Sequence, residues 1–153
     1  MLYIDSSALV KRYVQEEGSK AVTSRFERRE IIYTSVLTFA EVHAAIDRKY
    51  RDRELTVNEK QKLVDEFVND WLFSLSILEL TTHTMSALPT LCEEYSLKAS
   101  DAIHLAAAFW LRDTIRLDAK RSHASASIVE FGVSDGRLGK AALKCGFQVF
   151  IPA

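Results

Sequence analysis

Apolar positions along this chain follow two periods, and the switches between them mark a succession of strands and helices. Leu2-Tyr3-Ile4 is a short apolar run that stops at Asp5, followed by Ser6-Ser7. That pattern predicts a strand ending at an acid, then an N-cap for a helix from Ala8 to Val14. Gly18 breaks the chain, and Ser19 caps a second helix through Phe26. Ile31-Ile32-Tyr33-Thr34 is β-branched and aromatic, hence a second strand. Thr34 or Ser35 then opens a helix from Val36 to about Tyr50, with Leu37, Ala40, Ala44 and Ala45 on one side. Arg51 to Glu54 is a charged connector.

The clearest helix follows. Thr56 and Glu59 have capping-box spacing, and Leu63, Val64, Phe67, Val68, Trp71 and Leu72 form one wide apolar stripe. Ser76 to Leu80 reads as a third strand, and Thr82 to Tyr95 and Ser100 to about Leu111 as two more helices. Residues 113 to 126 lose periodicity and read as a helix end and surface loop. Ser127 to Val133 is a strand ending near Asp135, Arg137 to Lys144 a short helix with Gly146 at C′, and Phe147 to Ile151 a last strand. Strands alternating with helices point to a parallel sheet covered on both faces. Working groups in such sheets gather beyond the carboxyl ends of the strands, where Asp5 and Asp135 both fall.

Composition narrows the classes. With 153 residues, 48% of them apolar and 27% charged, the chain has enough to bury for one domain over residues 1–153 and does not read as disordered. No run of about 18 uncharged apolar residues exists, so no membrane span is expected, and the first residues do not read as a signal peptide. Cys92 and Cys145 lie far apart and match no metal spacing, in keeping with thiols in a reducing cytoplasm. The formal charge is −1, from 20 basic and 21 acidic residues, which argues against a broad basic surface for nucleic acid. Any such binding must rest on local charge or on bound cations.

Four acids stand in unusual places. Asp5 closes the first strand, Glu41 lies in TFAEVHAAI, Asp101 in LKASDAIHLAAAFW, and Asp135 in VSDGRL. Acids among apolar neighbours are costly unless paired, hydrogen-bonded or bound to a cation. Singly, each has an ordinary explanation: Asp5 and Asp101 as helix caps, Glu41 as a solvated helix edge, Asp135 as the start of a turn before Gly136. Hard carboxylate oxygens without a matched His or Cys cage suit Mg²⁺ or Mn²⁺ better than Zn²⁺.

The set YIDSSALVKRYV, TFAEVHAAI, KASDAIHLAAA and SDGRL resembles the PIN-domain family, particularly the toxin ribonucleases of toxin–antitoxin pairs (VapC-like). The resemblance runs from the first strand to the last. It implies a PIN-like three-layer α/β/α fold with a central, mostly parallel sheet of four to five strands. It implies Asp5, Glu41, Asp101 and Asp135 as catalytic, metal-binding acids. It further implies an endoribonuclease using Mg²⁺, with Mn²⁺ able to substitute, an RNA substrate, a small antitoxin partner and a homodimer. The late motif departs from the family pattern: Asp113 to Ser127 is long, and Glu130 is an extra acid, so Asp135 is taken as the fourth member with Glu130 as a substitute. Around this centre Ser7 is read as a second partner for carboxylate or phosphate, or as a plain cap. Lys11 and Arg12, and the run Arg48, Lys49, Arg51 and Arg53, are candidate phosphate contacts or solvated faces. His104 is read as packing or as supporting a ligand from behind; His43, His83 and His123 look incidental. The competing readings are a catalytically inactive PIN-like binding module and a Mg²⁺-binding receiver-type regulatory domain. The latter wants paired acids after the first strand, where this chain has serines.

Overall fold

The computed structural model describes residues 1–28 and 30–153. Five strands, β1 (Leu2–Ile4), β2 (Ile32–Ser35), β3 (Leu75–Leu78), β4 (Glu130–Gly132) and β5 (Gln148–Phe150), lie in the order β3-β2-β1-β4-β5. All four pairings are parallel; β1 sits centrally, with Leu2 opposite Ile32 on one side and Glu130 on the other. Eight helices connect them: α1 (Ser6–Leu9, running on as a 3₁₀ turn over Val10–Arg12), α2 (Ser19–Glu27), α3 (Leu37–Arg51), α4 (Val57–Phe73), α5 (Thr82–Ser86), α6 (Leu88–Tyr95), α7 (Ala99–Arg121) and α8 (Gly136–Lys144).

Alternation along β1 builds the three layers. Leu2 and Ile4 pack with Leu9, Val22, Val42, Ile46 and Phe67 in the core under α1, α3 and α4. Tyr3, between them, points the other way, into the core made with Leu105, Phe131, Leu138 and Phe147. All of these are fully or almost fully buried, each stabilising the fold by roughly 1.5–3 kcal/mol relative to exposure.

Local signals act largely where the sequence puts them. Thr56 and Glu59 form the reciprocal capping box that starts α4. At the end of α8, Gly146 takes φ 78°, donates its N–H to Leu143, and lets Phe147 donate to Ala142. That pair of bonds is a Schellman stop, which needs the left-handed conformation glycine adopts freely. Gly18, at φ 88°, enters α2 flat against Pro152, where a Cβ would meet the carbonyl oxygen at 2.5 Å.

Two stretches differ most from the periodic reading, and β4 starts only at Glu130 rather than Ser127. The stretch from Thr82 to Tyr95 is two helices, with the second opening on Pro89 in its first turn. Helix α7 does not stop near Leu111 but runs to Arg121, over 23 residues. Its last turns are largely solvent-exposed, so the apolar repeat that marks a buried helix disappears while the helix continues. What remains as loop is residues 122–129, exposed from Ser122 to Ile128. The apolar stripe on α4 serves as core through Leu63, Val64, Phe67 and Trp71, while Leu72 and Phe73 stay exposed. No described helix is long and apolar enough to cross a membrane.

Candidate active site

Asp5 leaves the sheet at the carboxyl end of β1. Its N–H still bonds Gly132 of β4 at 2.9 Å, and its extended backbone turns the side chain onto α1 as the N-cap. Oδ1 accepts the Ala8 N–H at 3.0 Å, and both oxygens lie 2.9 Å from the Ser7 hydroxyl. Ser7 Oγ also accepts the backbone N–H groups of Ser134 (3.0 Å) and Asp135 (3.1 Å). One donor and two acceptor positions are thus all in use, and the hydroxyl ties the ends of β1 and β4 together. Asp5 is only 3% exposed. Burial pushes its carboxyl up to about 6, against the opposing pull of His104, the Ala8 N–H and Ser7.

Glu41 enters from the second turn of α3. Its Oε2 receives His104 Nε2 at 2.7 Å, and His104 Nδ1 meets the Tyr3 hydroxyl at 2.9 Å. Tyr3 and His104 are essentially fully buried. Burial alone would raise the Glu41 carboxyl, but the His104 hydrogen bond and charge, with the Ser6 and Ser100 hydroxyls, outweigh it and hold the group below the usual glutamate range.

Asp101 stands in the first turn of α7 without capping it; Lys98 is the N-cap residue and makes no side-chain cap bond. Burial raises the Asp101 carboxyl, and so do the charges of Asp135 and Glu41, while Lys98 and His104 pull it down. Asp135 and Glu41 both act on the Asp101 carboxyl, in keeping with their common place beyond the carboxyl ends of the strands. Asp135 is exposed and caps α8, its Oδ1 accepting Arg137 N–H at 2.8 Å and Leu138 N–H at 2.9 Å. Asp5 therefore is a helix cap, as its ordinary explanation had it, whereas Asp135, read as the start of a turn, caps a helix too; each still keeps a carboxylate at the carboxyl edge. Asp101 is not a cap.

Other candidates lie elsewhere. Glu130, the possible substitute for Asp135, starts β4 at the opposite end of the sheet and pairs with Arg25 at 2.6 Å. Arg12 is held by Asp70 at 2.6 Å and stacks over Phe26, and Lys11 donates to the Glu17 carbonyl at 2.6 Å, so neither cation is free for phosphate in this arrangement. In the basic run, Lys49 pairs with Glu54, whereas Arg48, on the Glu41 face of α3 two turns on, is exposed. Two residues near the site carried no flag in the sequence reading. Tyr3 is one; its signal is a hydroxyl inside an otherwise apolar strand, which must find a buried partner. Lys98 is the other, an exposed cation three residues ahead of Asp101.

The donors are oxygens only, which suits a hard divalent cation. Among the described residues Asp101 makes no side-chain hydrogen bond, and burial together with the Asp135 and Glu41 charges raises its carboxyl, which a bound cation would counter. Among the described residues no three acidic, histidine or cysteine groups already close on a single point, so the acids form a loose cluster rather than a finished cage.

Comparison with known proteins bears on the family and the fold. The PIN domain family pattern matches residues 2–125, a span that includes Asp5, Glu41 and Asp101 and stops before Asp135. Ribonuclease VapC45 and Ribonuclease VapC49, both of Mycobacterium tuberculosis, are each 28% identical over 113 residues, covering 74% of this chain and 78% of the relative. Among solved structures, FitAcB from Neisseria gonorrhoeae aligns with 99% of this chain and 98% of its own at TM-score 0.62 and 17% identity. A toxin–antitoxin complex from Klebsiella pneumoniae aligns with 100% of this chain and 98% of its own at TM-score 0.59 and 16% identity. These two likenesses extend the shared fold through β4, α8 and β5. The chain belongs to the PIN domain family.

Proposed function

We propose that this chain is one PIN domain across residues 1–153, an endoribonuclease that hydrolyses RNA phosphodiester bonds with Mg²⁺, or with Mn²⁺ in its place. The observation that carries the reading is the gathering of Asp5, Glu41, Asp101 and Asp135, from four separate elements, at the carboxyl edge of the sheet. A divalent cation held there would stabilise the charged transition state and lower the pKa of an attacking water. The protein's own contribution is placement: Ser7 and the α1 amides fix Asp5, the α8 amides fix Asp135, and α7 presents Asp101. Lys98 and the exposed Arg137 flank the acids and supply phosphate contacts that Lys11 and Arg12 do not. The named ribonuclease relatives support the reaction class.

We further read the chain as the toxin of a toxin–antitoxin pair, acting as a cytoplasmic homodimer inhibited by a small partner protein; the likeness to a toxin–antitoxin complex supports this. Purified protein free of inhibitor should cut RNA only with Mg²⁺ or Mn²⁺, and EDTA or Asp101→Asn should stop it. Induced expression in a bacterial host, with RNA ends mapped, should give growth arrest and defined cuts for the wild type alone. Protein that neither cuts RNA nor binds a divalent ion refutes the proposal. Size-exclusion with light scattering should report a dimer, and a clean monomer at micromolar protein counts against that part.

A further inference from the structure

His104 is more deeply buried than any of the four acids, yet two polar groups meet its ring from opposite sides. Nε2 is 2.7 Å from Glu41 Oε2 and Nδ1 is 2.9 Å from the Tyr3 hydroxyl. A carboxylate only accepts, so Nε2 must carry the hydrogen of that bond. In the neutral ring Nδ1 is then the acceptor, and the Tyr3 O–H donates to it. Tyr3 is itself fixed, stacked on Phe131 with ring centres 5.3 Å apart and edge-on to His104 at 6.1 Å. The chain of bonds therefore runs from β1 through α7 to α3, and it ends on one oxygen of one carboxylate.

We propose that Tyr3 and His104 form a positioning relay: Tyr3 locks His104 as the Nε2–H tautomer, and His104, holding Oε2, then fixes the orientation in which the Glu41 carboxylate meets a divalent ion. The inference rests on the reading of Glu41 as a metal-binding acid. Its physical sense comes from how ligands are held in metal sites, where a carboxylate aimed by a buried donor binds more tightly than one free to rotate. Helix α7 fits this division of labour. Asp101 and His104 stand one turn apart on neighbouring positions of one face, so the helix that presents one acid also aims another. The same economy shows at Asp135, whose Oδ1 takes both helix amides and whose Oδ2 takes none.

A plain structural tie between α3 and α7 makes different demands. It would change the melting temperature on mutation but leave Mn²⁺ affinity of the folded protein where it was. The test therefore uses the metal alone and the metal-free protein. Long-range ¹H–¹⁵N spectra of the imidazole rings, recorded without metal, should show His104 as a single Nε2–H tautomer in the wild type and as a mixture in Tyr3→Phe. Calorimetric titration with Mn²⁺ should show His104→Leu binding about 10–100-fold more weakly, with His104→Gln, which keeps an N–H donor, recovering much of the loss. Tyr3→Phe removes one oxygen from an otherwise unchanged ring and should weaken binding by a few-fold; it carries the test if His104→Leu does not fold. An Nδ1–H tautomer in the wild type overturns the proposal. So does a Tyr3→Phe protein with the wild-type tautomer and the wild-type Mn²⁺ affinity. A wild type that shows the tautomer lock but binds no Mn²⁺ overturns the metal-aiming role and, separately, the metal-dependent reading of the site.

Discussion

Asp5 and Asp135 hold equivalent places on neighbouring parallel strands. Each follows the last residues of its strand, each caps the helix that comes next, and both are tied to the same Ser7 hydroxyl, Asp5 through its side chain and Asp135 through its N–H. They differ in burial. Asp5 is sealed beneath α1 and the sheet, and its carboxyl is pushed up to about 6 by loss of water. Asp135 stands exposed to solvent as it caps α8. The pair teaches that a cap's hydrogen bonds do not decide whether an acid is under electrostatic stress; its access to water does. Stress of this kind is what a cation relieves, so the buried corner is where the ion should matter most.

The largest effect should separate the two acids by activity. Asp5→Asn should lower metal-dependent RNA cleavage by about 10³-fold or more, and Asp135→Asn by only ~10–100-fold, measured as initial rates on a short labelled RNA. Equal losses would erase the distinction.

Stability against pH comes next. Because the folded-state pKa of Asp5, about 6, lies above its ordinary 3.8, the fold favours the protonated acid. Its contribution is complete below the unfolded value and is lost as pH rises through the folded one, a change of about 3 kcal/mol in all. Roughly half of that falls between pH 5 and pH 7.5. Urea midpoints of the metal-free wild type should therefore drop across this window relative to Asp5→Asn, and Mn²⁺ should flatten the difference. Parallel curves would show that burial is not the source.

Ser7→Ala should be milder, about 1–3 kcal/mol in a denaturant melt, since it leaves the Ser134 and Asp135 amides without their acceptor. The smallest effect belongs to the exposed cap. Asp135→Ala should lower stability by ~1 kcal/mol and Asp135→Asn by a few tenths, because asparagine caps as well as aspartate. A larger loss for Asp135→Asn would mean its charge supports the fold.

The same contrast explains what could be read from residues alone. Asp5, Glu41 and Asp101 stood out because each interrupts an apolar segment, and burial is what an apolar neighbourhood reports. The strands were legible for that reason too, β1 most of all, since both its faces are covered. Exposed features left weaker traces. The last turns of α7 face water, so nothing in their pattern repeats, and the helix reads as loop. Arg12 and Lys11 looked like surface cations, yet Asp70 and the Glu17 carbonyl hold them. Those partners lie 58 and 6 residues away, and only the first demands tertiary folding to be seen. Tyr3 hid inside its own strand, since a buried tyrosine and a buried phenylalanine make the same pattern until the hydroxyl's partner is known.

The long segment between Asp101 and Asp135 has one more consequence. Helix α7 spans roughly 33 Å at 1.5 Å per residue, far longer than the strands beside it. The loop that follows, exposed over 122–128, leads through buried Val129 into the start of β4, opposite the edge where the acids gather. Extra length there extends away from the acids, so residues added to the loop should leave both in place. That end of the molecule is accordingly its natural handle: a reporter grafted into residues 122–128, or an anchor to a surface, would leave the acid edge facing outward.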